Sequence, residues 1–304
     1  MTLGDLASGG LLNDEQSSSF IRKLIDAPTI LKGSRSVVMS APQRQINKIG
    51  FGSRILRPAV SGVGLVEGDR SKPTTEQVLL STNEVIAEVR LPYDVIEDNI
   101  ERGSMNAAGA SSSHNPVTGT FKDTIVSLMA DRAALDLEEL ALLGDTGSGD
   151  PYLALVDGFL KQSTTNIVDG GAATIARTLM KNGMKAMPDK YLRNRVALRH
   201  YFSHDNETEY REVNAARETT GGDAAINSNA PTFAYGVPVE PVALMPGVNG
   251  LFTHPKNMIF GIQRQISIEV DKDISERVFI IVLTARIDFK FEEEESVVKY
   301  INIG

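Results

Sequence analysis

Cysteine is absent from the 304-residue chain, so disulfides and thiolate chemistry are excluded, and a zinc site would have to be built from its four histidines and its carboxylates. Tryptophan is absent as well, and aromatic residues make up only 6%, which leaves few stacking platforms for sugars or single-stranded bases. The longest unbroken apolar run, Val278 to Leu283, has six residues, whereas a membrane-spanning helix needs about 20. A basic excess is missing too. Acidic residues outnumber basic ones 39 to 31, a net charge of −8, which argues against gripping nucleic acid through phosphates except at a local patch. The opening MTLGDLASGGLLNDEQ has neither the basic leader nor the apolar stretch of a secretory signal, so the protein is expected to stay where it is made. What remains, 41% hydrophobic and 23% charged residues, suits a globular protein with a sizeable core.

Residues 1–31 are rich in Gly, Ser and Asp, with one short amphipathic patch at Phe20, Ile21, Leu24 and Ile25, and read as an arm ordered only where it rests on something else. Period-two patterning begins at Asn47–Leu56 and returns at Val78–Leu91, where Val85, Ala87, Val89 and Leu91 share one face and Glu84, Ile86, Glu88 and Arg90 the other. Between the two runs lies PAVSGVGLVEGDRSKPTTEQ, so residues 47–91 are expected to form one long hairpin with a polar tip. A two-stranded ribbon has too little core to stand alone. In LPYDVIEDNI, Asp94 and Glu97 have capping-box spacing for a short helix. The segment TFKDTIVSLMADRAALDLEELALL, residues 120–143, lacks Pro and Gly and carries Phe121, Ile125, Leu128 and Met129 at helical spacing, so it is expected to be a long helix stopping at Gly144.

After the GDTGSGDP turn, helices are expected at Thr174–Met187 and Asn206–Thr219, around a strand at Val196–Phe202. TTGGDAAINSNAP reads as a mobile loop. Strands return at ISIEV and VFIIVLTARIDFKFE, where Ile287, Phe289 and Phe291 alternate with Asp288 and Lys290. No internal repeat is found.

Motifs for chemistry are weak. The glycines of GVGLVEG, at 62, 64 and 68, miss the dinucleotide spacing by one. Asp145 and Asp150 in LLGDTGSGDP lack the glutamate of a calcium loop, and Ser148 lacks the glycine spacing of a nucleophile elbow. His200 and His204 fall on one face of the expected strand but have no identifiable third ligand. Glu292–Glu295 cannot share one catalytic geometry and read as a solvated edge or a salt-bridging strip. The charges Asp131, Arg132, Glu138 and Glu139 suit an exposed helix face, or pairing with a neighbouring subunit. An enzyme is not expected, and neither is a cofactor or a metal.

The order of arm, hairpin, long helix, mixed middle and closing strands resembles the Hong Kong 97-type major capsid proteins of tailed phages. The resemblance covers nearly the whole chain and is sharpest at LPYDVIEDNI, at ELALLGDTGSGDP, and at YGVPVEPVALMPG with HPKNMIFGIQRQISIEVDKD and TARIDFKFEEEESVVKYINIG. It implies an α+β fold with an N-terminal arm (1–31), a peripheral domain (32–46 and 92–150) holding the spine helix 120–143, an extended hairpin loop (47–91), an axial domain (151–260) and C-terminal strands returning to the peripheral domain (261–304). It further implies self-assembly into pentamers and hexamers of an icosahedral shell around double-stranded DNA, in the virion after assembly in the host cytoplasm. Arg54, Arg57, Glu67, Asp69, Arg70 and Lys72 are then expected to contact neighbouring subunits, with Asp131, Arg132, Glu138 and Glu139 on the spine. Only some 31 residues precede the hairpin region, which implies a separate scaffolding protein or assembly without one. A portal and a decoration protein are further partners, packaged DNA is contacted weakly, and no membrane is involved. Lys48 or Lys72 could stand where some members crosslink, but no acceptor aligns and no crosslink is expected. Three alternatives stay open: an encapsulin-type compartment, an enzyme working through His200 and His204, and a tail or baseplate protein.

Overall fold

The computed structural model describes residues 30–52, 54–59, 61–92, 121–216 and 231–304. Nearly all of the arm, the capping residues Asp94 and Glu97, and all but the last residue of TTGGDAAINSNAP lie outside these residues. In chain order the first half holds α1 (Ile30–Gly33), β1 (Arg35–Val38), β2 (Gln43–Gly50), β3 (Thr74–Ser81), β4 (Asn83–Pro92), α2 (Phe121–Leu143) and α3 (Phe159–Gln162). The second half holds β5 (Asn166–Ala173), α4 (Arg177–Ala186), β6 (Arg199–Phe202), α5 (His204–Ala215), β7 (Thr232–Ala234), β8 (Val237–Pro241), β9 (Gly250–Thr253), β10 (Met258–Asp273), β11 (Val278–Phe291) and β12 (Val298–Ile303). The fold is a mixture of helix and sheet, as the α+β expectation has it.

Three sheets organise the chain. One is four-stranded in the order β1-β10-β11-β4, one six-stranded in the order β5-β12-β9-β6-β8-β7, and one the ribbon β2-β3. The ribbon corrects the expected hairpin. Strand β2 pairs with β3 from Gln43↔Ser81 to Gly50↔Thr74, whereas β4 leaves the ribbon after Thr82 and runs antiparallel to β11, from Asn83↔Ile287 to Pro92↔Val278. The single period-two run seen in the sequence thus serves two sheets. The facing of its second half is as expected: Leu91 is buried and Val85 packs on the core, while Ile86 is exposed.

Helix α2 ends against a close backbone approach. A Cβ on Gly144 would stand 2.2 Å from the Val156 carbonyl oxygen, and the N–H of Gly158 donates to the Gly144 carbonyl at 2.8 Å. The glycine is required there for space and not for a left-handed conformation. The last turns of α2 bury Leu137, Leu140, Ala141 and Leu142 in a core shared with Phe159, Ile287, Phe289 and Phe291. Aromatic edges lock this region, with Phe159 and Phe289 at 5.8 Å and 65°.

The six-stranded sheet is buried on both faces because alternate residues of its central strands enter different cores. Tyr201 and Leu251 join the core under α2, while Phe202 and Phe252 join Leu179 and Met180 of α4 and Tyr210 of α5. Helix α4 tolerates Gly183 because a Cβ there would strike Tyr300 at 1.9 Å. Ser203 caps α5, its Oγ accepting from the Asn206 N–H at 3.2 Å. The strand expected from Val196 begins only at Arg199, since Val196 lies in a 3-10 segment. The chain's last strand also differs from expectation: β12 lies between β5 and β9, so the C-terminus enters the six-stranded sheet and not that of β10 and β11.

Candidate assembly surfaces

Among the described residues, the outer loop between β2 and β3 is the most continuously exposed stretch. Every described side chain from Ile49 to Arg70 is exposed. Arg54, Arg57, Glu67, Arg70 and Lys72 are all brought onto this loop, with Asp69 placed by its backbone in a 3-10 turn, Glu67–Asp69. Within it the Ser71 hydroxyl donates to the Arg54 carbonyl and the Arg70 N–H to the Glu67 carbonyl. The tip is not polar as expected. Ile49, Phe51, Ile55, Leu56, Val63, Leu65 and Val66 stand exposed among the charges, Leu56 at 84%. Glycines and prolines break their periodicity, which hid them as a set; the signal was the density of apolar letters in a stretch that no helix or strand pattern explains.

The four spine residues separate. Asp131 and Arg132 are exposed, Arg132 pairing with Asp136 at 2.9 Å one turn on, and Glu139 is half-buried. Glu138 corrects the exposed-face reading. It is 1% exposed, and its carboxylate accepts the Ile30 N–H at 2.5 Å, so it fastens α1 to the spine within the subunit.

The acidic run Glu292–Glu295 is the salt-bridging strip. Glu292 meets Arg35 at 3.2 Å, Glu293 meets Lys48 at 2.9 Å and Glu295 meets Lys190 at 2.5 Å, while Glu294 accepts from the hydroxyls of Thr164 and Thr165. Hydrogen bonds from Thr164 lead in holding Glu294 below the usual carboxylate range. One stretch of chain therefore ties β1, the ribbon and the loops before β5 and β6. Burial works to lower the Lys48 ammonium's pKa, but hydrogen bonds and charge from Glu293 and Glu76 outweigh it and hold it above its ordinary value.

His200 and His204 do not form a site. His200 is fully buried on β6, stacked on Phe252 at 4.2 Å with Nδ1 3.2 Å from the Tyr300 hydroxyl, and burial lowers its pKa to about 3. His204 is exposed at the start of α5. Asp145 and Asp150 accept backbone N–H groups of their own turn, from Gly147 and Tyr152. A second exposed apolar spot lies at the β7–β8 turn, where Phe233 and Tyr235 are half exposed and Tyr235 adopts φ 51°.

No family model matches the chain. The Bacillus subtilis (strain 168) protein YqbE, provisionally named a prophage capsid protein, is 44% identical over 315 residues that cover all of this chain and 96% of that protein. The chain belongs to the phage capsid proteins. Solved structures agree with this phage capsid protein in fold. The capsid of the native GTA particle superposes with a TM-score of 0.67 at 14% identity, covering 98% of each chain. Mycobacterium phage Bobi matches at 0.63 and 12% identity over 94% of each. The procapsid of satellite phage P4, which includes its size determination protein, matches at 0.56 and 14% identity over 90% of this chain. The Hong Kong 97-type resemblance is thereby borne out as the fold, and these relatives give the encapsulin alternative no support.

Proposed function

We propose that this capsid protein assembles with copies of itself, as pentamers and hexamers, into an icosahedral shell enclosing the double-stranded DNA genome of a tailed phage. The observation that carries this reading is the outer loop with the end of β2, which together expose seven large apolar side chains on a ribbon with little core of its own. Burying such side chains is worth about 1.5–3 kcal/mol each. Several together offset an association cost of roughly 4–15 kcal/mol. The loop's charges, Arg54, Arg57, Glu67, Asp69, Arg70 and Lys72, then set register and exclude wrong partners more than they supply affinity. A repeated subunit that offers a protruding loop and accepts a neighbour's forms heterologous contacts, which close into rings when the rotation allows.

In this reading the four-stranded sheet with α2 is the peripheral unit and the six-stranded sheet is the axial unit, its Phe233 and Tyr235 facing other copies near the capsomer axes. A scaffolding protein, a portal and a decoration protein are family-implied partners. The net charge of −8 keeps contact with packaged DNA weak and non-specific. The subunit catalyses no reaction, assembles in the host cytoplasm and ends in the virion. Electron microscopy of the full chain, expressed alone and with a scaffolding protein, tests the proposal. Closed shells are expected; persistently monomeric protein in both preparations overturns it.

A further inference from the structure

The ribbon leaves the body of the subunit at a definite place. On the inner face of β2, Ile46 packs beside Leu80 against Val37, Met39 and Ile259, and two residues on Lys48 is the last half-buried side chain of the strand. Beyond it the described loop is exposed. The Lys48 ammonium has three donors and three acceptors around it. It donates to the Glu292 carbonyl at 2.5 Å and to Glu293 Oε1 at 2.9 Å, and it stands 3.4 Å from Oε2 of Glu76, its cross-strand partner on β3. Glu293 is itself fixed, because its N–H donates to Asn257 Oδ1 at 2.8 Å and its carbonyl accepts from Asn257 Nδ2 at 3.0 Å. A second point of attachment lies at the other strand's root. Asp288 of β11 accepts the Ser81 N–H at 2.7 Å, where the chain passes from ribbon to sheet.

We propose that Lys48 is a positioning residue: with Glu293 and the Glu292 carbonyl it latches the ribbon at a fixed angle to the body, while Asp288 pins the root about which the ribbon would otherwise swing. Two separated attachments fix a direction where one leaves a pivot. The latch sits at the outer edge of contact, so a small change there becomes a large displacement at the loop tip. For the shell this makes Lys48 a determinant of where each loop meets its neighbour, and that consequence rests on the assembly reading above. The latch itself belongs to the single subunit.

The absence of cysteine allows the angle to be read directly. Spin labels at Ser61→Cys on the loop and Lys185→Cys on α4, in full chain diluted with excess unlabelled chain, report one intramolecular distance whether or not shells form. A single narrow distance peak is expected for the parent. Lys48→Met is expected to lose that narrow peak while the circular dichroism spectrum stays that of the parent, and Lys48→Arg to restore part of it. If Lys48→Met fails to fold, Glu293→Gln serves, with a smaller broadening expected because the carbonyl and Glu76 remain. An unchanged narrow peak in the folded variant overturns the latch. Absence of shells from the parent protein overturns the assembly reading and leaves the distance result standing.

Discussion

The ribbon with its outer loop and the six-stranded sheet are built from similar strand-forming residues and differ in almost everything else. In the sheet, neighbouring residues such as Tyr201 and Phe202 are both buried because each face meets its own core. In the ribbon and its loop, Ile49 and Leu56 stand 74% and 84% exposed. The sheet covers its own apolar side chains, whereas the ribbon and its loop leave theirs exposed. On the proposed function, stability and assembly then fall to different regions.

The largest test of that division is Phe252→Ala. Removing a ring stacked on His200 and packed in the core is expected to cost about 3–5 kcal/mol in chemical denaturation. A cost near zero would break the comparison, because the sheet would not be the source of stability. Acid is the next lever. Burial lowers the His200 pKa to about 3, from an ordinary value of 6.5, so its contribution is complete above the unfolded value and lost as pH falls through the window between the two. The expected loss approaches ~1.4 kcal/mol per pH unit below the unfolded value. His200→Leu should flatten that part of the stability–pH curve, and an unchanged slope would show the histidine to be protonated in the folded protein.

Asp288 sharpens the boundary between the regions. Asp288→Ala leaves the N–H groups of Ser81 and Phe289 without their acceptor, at a cost of roughly 1–3 kcal/mol. Urea titration measures it, and amide exchange should quicken at Ser81 before it does at Leu251. Burial leads in raising the Asp288 carboxyl above its ordinary value of 3.8, against hydrogen bonds from Ser81 and Phe289 that lower it. The sign is opposite to that of His200: stability from this group is fully present below the unfolded value and falls as pH rises through the raised one. Smallest in stability is Leu56→Ser with Leu65→Ser, expected to change unfolding by no more than about 0.5 kcal/mol. The same pair should abolish particles in micrographs; intact shells would move assembly away from the loop.

Much of this architecture was legible in the sequence, and the illegible part has a common cause. Alternation at Val85–Leu91 and at Ile287–Phe291 reports facing, because the period of a strand is a local property. Pairing partners are not local. Both halves of the run 74–92 keep the same period, and only a change of phase across the polar Ser81, Thr82 and Asn83, from Val78 and Leu80 to Val85 and Leu91, marks the break; which sheet the second half joins is decided by β11, far along the chain. Glu138 looked like one more surface charge of α2 until Ile30, 108 residues away, brought its N–H to it. Spacing in the sequence puts His200 and His204 on one face of a strand, but β6 ends at Phe202 and His204 opens helix α5. At the loop, the charges drew attention because charge is read residue by residue, whereas the exposure of Leu56 or Val66 depends on what fails to fold back over them.

The division of one strand run between two sheets has a mechanical consequence. Tension applied along the loop reaches the body through β3 and β4, and β4 lies lengthwise against β11 over ten paired positions, Val278↔Pro92 to Ile287↔Asn83. Those hydrogen bonds are loaded together in shear, and the share carried by β2 passes to β1, which pairs with β10 at the opposite edge of the same sheet. A pull on the loop therefore enters the four-stranded sheet at both of its edge strands at once and is borne by rows of hydrogen bonds side by side, not by one end pair.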